Sequence, residues 1–321
     1  MLRRVVLTAV ALTSLAPLLL AMGPSEQVKG PALLRVITFV PYPALVVADE
    51  HGFFAAENLA VSWEITPSST VQMQGLTGGR WEIAITAFDN LLASHVREGV
   101  RSVAFAMADR IDLPFYVRPE IATYDDLRGR PLAVDAVDTA FALVLRRLLL
   151  AHGLDLNRGD YTLVGAGAPQ QRLDSITSGE TFGGILNPPW NILGEQAGLH
   201  QLGHHSEVLP DYPGSVLAAT ADWLADPEHR AAVVRFLRAW QRGAEWAVSH
   251  REATRELLAR VRNVPPAAAD SLLDATLTDL SLDPNGLASV RDLRVELGLV
   301  PPPGPRVEDY YDLTLYAAAR R

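Results

Sequence analysis

No cysteine occurs anywhere in the 321 residues. That excludes disulfide staples, thiolate ligands for zinc or an iron–sulfur cluster, a cysteine nucleophile and the lipid attachment of a lipoprotein anchor. Lysine is nearly as scarce: Lys29 is the single one among 28 lysines and arginines. Positive charge is in deficit overall, with a formal net charge of −9. The basic stripe that nucleic acid requires is therefore missing, and no nucleic-acid partner is expected. A P-loop, a Gly-x-Ser-x-Gly elbow and a His-Glu-x-x-His run are also missing. Gly165-Ala166-Gly167 lacks the third glycine of a dinucleotide fingerprint. Asp283-Pro284-Asn285-Gly286 lacks the alternating carboxylates of a calcium loop and reads as a turn into a helix. The one histidine cluster, His200-x-x-x-His204-His205, contains Gly203, has no carboxylate before Glu207 and reads as a solvated loop. Neither a metal, nor a cofactor, nor a catalytic residue is expected.

A comfortable membrane span is absent too. Residues 5–20 are apolar but interrupted by Thr8, Thr13, Ser14 and Pro17, short of the ~20 apolar residues a spanning helix needs. Arg3 and Arg4 precede this run, and Ala21-Met22-Gly23 supplies the small residues of a cleavage site. Residues 1–23 read as a signal peptide, which places the mature protein in the periplasm.

What the chain does have is one pattern run twice. From Arg35 it reads apolar run, loop, amphipathic helix, glycine, apolar run, loop, helix, glycine, apolar run, and from Pro131 the order repeats. Gly52 and Gly79 lie 27 residues apart in the first copy, and Gly153 and Gly179 lie 26 apart in the second. Two βαβ-based halves imply an α/β protein of two lobes, each a sheet flanked by helices. Residues 24–115 and 214–321 are expected to form lobe 1, and residues 116–213 lobe 2. Residues 113–117 and 215–220 read as the two crossing strands, with hinges near Phe115–Arg118 and Pro213–Ser215. Residues 226–262 read as strongly helical, and three further helices follow.

Ligands of open α/β sheets bind beyond the carboxyl ends of the strands, so the strand–helix joints hold the candidate residues. Ser68, Ser69 and Thr70 open a helix after Pro67; they suit an N-cap, and equally hydroxyls and free N–H groups facing a ligand. Thr86, Asp89 and Asn90 occupy the next joint, where Asp89 also suits the helix dipole. Asp135, Asp138 and Thr139 hold the matching joint of the second copy. Asn187 and Trp190 close its last strand, Trp190 reading as a ring-stacking wall or a core residue. Tyr42, between two prolines, is the better pocket candidate, while Phe39 suits the core. The joints offer no evident cation beyond Arg110, which favours a small organic ligand with donor groups or a ring over a bare dianion.

These joints carry a resemblance. Tyr42-Pro43-Ala44, Gly52-Phe53-Phe54-x-x-Glu57-Asn58-Leu59-x-Val61, Gln72-Met73-x-x-Leu76-x-x-Gly79, Glu82-Ile83-Ala84 and Asp126-Leu127-Arg128-Gly129-Arg130-Pro131-Leu132-Ala133-Val134 are similar to type-two periplasmic solute-binding proteins of ABC importers. The branch they resemble includes the sulfonate, taurine and nitrate binders and the thiamine-pyrimidine-precursor binders. The resemblance implies a monomeric two-lobed clamp of the Venus-flytrap kind. It would close on a small-molecule solute and hand it to an ABC permease and its ATPase. A pyrimidine synthase of thiamine biosynthesis shares the architecture, but that family carries a lysine and a histidine at the joint matching Thr86–Asn90, plus a cysteine cluster; this chain has Thr86 and Asn90 at that joint and no cysteine. A sensory lobe is the remaining alternative.

Overall fold

The computed structural model describes residues 30–110 and 112–321; the signal-peptide expectation falls on residues outside that range. Pro31–Arg321 is a single unit. Along the chain come β1 (Ala32–Thr38), α1 (Pro43–Glu50), α2 (Phe53–Ala56), β2 (Leu59–Ile65), α3 (Ser69–Thr77), β3 (Ile83–Ala87), α4 (Phe88–Glu98) and β4 (Ser102–Met107). Next are β5 (Pro114–Val117), β6 (Pro131–Val134), α5 (Phe141–Ala151), β7 (Thr162–Gly165), α6 (Pro169–Thr177), β8 (Gly183–Ile185), α7 (Trp190–Gln196) and β9 (His200–His204). The chain ends with β10 (Ser215–Thr220), α8 (Pro227–Ser249), α9 (Arg251–Arg262), α10 (Pro266–Asp274), α11 (Pro284–Glu296) and α12 (Leu313–Ala319).

The repeated pattern becomes two five-stranded sheets of one design, ordered β2-β1-β3-β10-β4 and β7-β6-β8-β5-β9. In each, three parallel strands from one copy of the pattern are followed by an antiparallel crossing strand. Strand β3, Ile-Ala-Ile-Thr-Ala, is buried throughout, as expected of a central strand with both faces covered. At Gly52 the backbone takes φ +70°, so α1 stops and α2 starts without the steric cost a side chain would bring.

Helix α8 buries Val233, Phe236, Leu237, Trp240, Ala244 and Ala247 on one stripe. It crosses α1 so closely that a Cβ at Gly243 would lie 2.3 Å from the Ala44 carbonyl oxygen. The helical stretch 226–262 is two helices rather than one. His250, at φ −125° and ψ 52°, breaks it, and Ser249 Oγ turns back to the Glu245 carbonyl at 2.7 Å. One apolar cluster joins α1 and α8 to the first sheet. A second runs from Met73 and Leu91 into Phe115 and Leu143, so core packing is continuous between the lobes. The histidine stretch read as a loop is strand β9, paired along β5 at the sheet edge. No helix among the described residues is long and apolar enough to cross a membrane.

Candidate functional site

The carboxyl ends of both sheets meet around a narrow cleft. Phe39, Tyr42 and Asn90 line it from the first copy of the pattern, with Asp135, Phe141, Arg172 and Asn187 from the second; Ser215 opens the returning strand. A neighbouring cavity shares Tyr42, Phe141, Asn187 and Ser215 and adds Asp109, Arg110 and Asp112. The lobes are in contact around these spaces. Ser69 N–H donates to both oxygens of Asp135, at 3.1 and 3.2 Å. Ala168 N–H donates to the Pro67 carbonyl at 2.9 Å. Gly167, at φ +106°, permits that approach, since a Cβ there would meet the same oxygen at 2.9 Å.

Four of the sequence candidates line the cavities: Tyr42, Asn90, Asp135 and Asn187. Thr86 stands behind Asn90 and accepts its Nδ2–H at 2.9 Å. The Asn90 Oδ1 is buried without a partner. Ser68 caps α3, accepting Val71 N–H at 3.2 Å, and Ser69 uses its backbone as described. Thr70 is exposed. Asp138 pairs with Arg97 at 3.5 Å, while Thr139 is buried with a bare hydroxyl. Trp190 packs beside Leu173, Leu186 and Leu199 in a small cluster of the second lobe. Asp89 lies within the lobe contact: Arg294 Nη1 is 3.0 Å from both of its oxygens, and Ala140 N–H donates at 2.6 Å.

The cation absent from the sequence reading is Arg172, 3% exposed on α6. Its Nε, Nη1 and Nη2 donate to Ile185 O, Gly167 O and Asn187 Oδ1 at 2.9, 3.1 and 3.2 Å. Burial lowers its pKa to about 10, and the charge of Asp135 opposes that shift. A signal for it existed. Pro169, Arg172, Leu173 and Ile176 fall at helical spacing on one buried stripe, where an arginine needs polar partners. The first lobe repeats the device with Gln72, on the buried stripe of α3 with Ser69, Met73 and Leu76. Gln72 Nε2 donates to Ile85 O at 3.0 Å, on the strand matching that of Ile185.

Asp109 is the second residue that the joints did not reveal. Its carboxylate accepts Ser215 N–H at 2.6 Å and Ser215 Oγ–H at 3.3 Å, and Tyr42 also bonds to it. Burial of the carboxylate pushes its pKa up to about 6, against the lowering effect of those donors. The same enclosure pushes Tyr42 well above the ordinary tyrosine value. The two crossings touch here: a Cβ at Gly214 would lie 2.2 Å from the Asp109 carbonyl oxygen. Arg110 is exposed and uses its N–H on Ala275 O at 2.7 Å.

Residues 42–254 match the family model described as NMT1/THI5 like. The chain belongs to the NMT1/THI5-like family. This NMT1/THI5-like chain matches no curated protein sequence. Its fold is shared with solved structures. The alkanesulfonate-binding protein SsuA from Xanthomonas axonopodis pv. citri, bound to MOPS, is 16% identical over 88% of this chain and 100% of its own, with a TM-score of 0.74. The periplasmic nitrate-binding protein NrtA from Synechocystis PCC 6803 is 13% identical over 90% and 88%, at 0.75. A ligand-binding component of an ABC-type import system from Staphylococcus aureus, with zinc bound, is 16% identical over 90% and 99%, at 0.74. The NMT1/THI5-like chain thus has the periplasmic-binding-protein fold.

Proposed function

We propose that this protein is the extracytoplasmic substrate-binding subunit of an ABC importer, and that it captures a small organic solute between its lobes. The observation that carries this reading is the cleft itself. Polar and aromatic side chains from both copies of the pattern converge on one space, and closure on a solute requires contacts from both sides. The proposed contacts are Tyr42, Asn90, Asp135 and Asn187, joined by Phe141, Arg172 and Ser215. Ser69 and Thr86 hold Asp135 and Asn90 from behind, and the buried Thr139 hydroxyl is a further candidate contact. The absence of cysteine and the position of Lys29 before β1 favour capture over Schiff-base or thiol catalysis. Delivery to a permease and its ATPase, release into the periplasm after removal of residues 1–23, and a monomeric state belong to the same proposal.

The test is a thermal-shift screen of the purified protein against amines, pyrimidines, aromatic acids, sulfonates and nitrate. Any hit is followed by small-angle scattering. A ligand at 100 times its Kd stabilises the folded protein by about 2.7 kcal/mol. A panel in which no solute moves the melt or compacts the protein would sink the reading.

A further inference from the structure

The two cavities are neighbours that share Tyr42, Phe141, Asn187 and Ser215. We propose that they are the two ends of one ligand site and that the solute is an organic cation: an aromatic ring carrying an ammonium group received by Asp109 at one end and an N–H donor received by Asn90 Oδ1 at the other. This inference rests on reading the cleft as a capture site.

The Asn90 end asks for a donor. The residue is 1% exposed, its Nδ2 is spent on Thr86, and its Oδ1 faces no partner. A buried carbonyl oxygen is costly to leave bare, so a donor arriving there gains more than one at a hydrated site. Asp135 lines the same end and adds a carboxylate rather than a competing donor.

The Asp109 end asks for positive charge. Its three donors are an amide and two hydroxyls, none of them a cation. Asp112, on the same wall, adds a second carboxylate and is held by His204 Nε2 at 2.9 Å. Between the ends stand Tyr42 and Phe141, aromatic rings whose faces attract cations. An anion fares worse. Arg110 on the Asp109 wall is exposed, Arg172 already directs three donors to Ile185, Gly167 and Asn187, and a sulfonate in the cleft would face Asp135 and Asp109.

The experiment is titration calorimetry at pH 7.5 with three probes on one aniline scaffold. 4-(Aminomethyl)aniline carries the ammonium, 4-aminobenzyl alcohol is its neutral isostere, and 4-aminobenzenesulfonate is anionic. The cation should bind at least roughly tenfold tighter than either analogue, and Asp109→Asn should erase that preference. Asn90→Leu should weaken the cation and the neutral probe alike, because both keep the aniline N–H. A neutral or anionic probe that binds wild type as tightly as the cation overturns the proposal and leaves the capture reading standing. So does silence from all three probes when the broader panel finds another ligand. A cation preference that survives Asp109→Asn removes Asp109 from the assignment, and unchanged binding in Asn90→Leu removes Asn90. The comparison of probes on wild type needs no variant to fold, and silence across the broader panel as well defeats the capture reading itself.

Discussion

Asp89 is fully buried and Asp109 half-buried near strand ends of the first sheet, and burial raises the pKa of each carboxylate. Their surroundings differ. Asp89 lies between the Arg294 guanidinium and the Ala140 N–H, and Arg294 reaches on to the Asp138 carbonyl at 3.3 Å. It joins a helix near the C-terminus to the start of α5 across the lobe boundary. Asp109 has only hydroxyl and amide donors. A buried charge bonded to a built-in cation is a structural joint; a half-buried charge with no cation bonded to it carries a cost that a cationic ligand would offset.

The largest test removes the cation that Asp89 has. Arg294→Ala strands a buried carboxylate and should cost about 3–5 kcal/mol in urea denaturation, whereas Asp89→Leu with Arg294→Met should recover most of that loss. A loss under about 1 kcal/mol would put the pair on the level of a surface bridge and dissolve the contrast.

Next in size is Gly214→Ala. Its new Cβ would press on the Asp109 backbone at 2.2 Å, forcing the crossings apart at a cost of about 1–3 kcal/mol. Opening the enclosure should also return the Asp109 pKa toward the ordinary carboxylate range. NMR titration of the carboxylate would detect this, and an unmoved pKa would mean that the packed crossings are not what raises it.

Asp109→Asn should act in the opposite direction to Arg294→Ala. The folded pKa of Asp109, about 6, lies above its unfolded value of 3.8. The folded state therefore holds the proton more tightly, and wild-type stability falls as pH rises from about 4 through about 6. Above that window the variant should be more stable than wild type by on the order of 2 kcal/mol, and the gain should vanish near pH 4. The charged or titratable neighbours are Tyr42, Arg110 and Asp112, the last held by His204. Denaturation curves of both proteins at pH 7.5 and 4 check the sign. A variant less stable than wild type at pH 7.5 would mean that the carboxylate is already compensated.

The smallest effect belongs to a residue with no buried charge. Ser68→Ala removes the cap of α3 and should cost about 1 kcal/mol of thermal stability. A larger loss would place Ser68 among the groups that hold the lobes together.

The architecture was legible because each copy of the pattern is local: apolar runs, turn residues and positive-φ glycines set strand and helix order without reference to the rest of the chain. Tyr42, Asn90, Asp135 and Asn187 were legible for the same reason, since each sits in a strand–helix joint. Arg172 was obscured because a joint search stops at the first helical turn, and its meaning lay in a stripe otherwise apolar. Asp89 read as a ligand candidate that also suits the helix dipole because its partner, Arg294, lies 205 residues away, and nothing local announces such a pairing. Strand β9 read as a loop because its glycine and histidines lack β-propensity; pairing with β5 overrides that weak preference.

The placement of β10 has a consequence for the order of assembly. This strand enters the first sheet between β3 and β4, although more than a hundred residues of chain separate it from them. As the chain emerges from the ribosome, the first sheet has a gap between β3 and β4 until residue 220 has been made. By then every strand of the second sheet is available. The half of the molecule that is synthesised first is therefore the half that finishes last, and a nascent chain stopped before Ser215 keeps an open edge on β3.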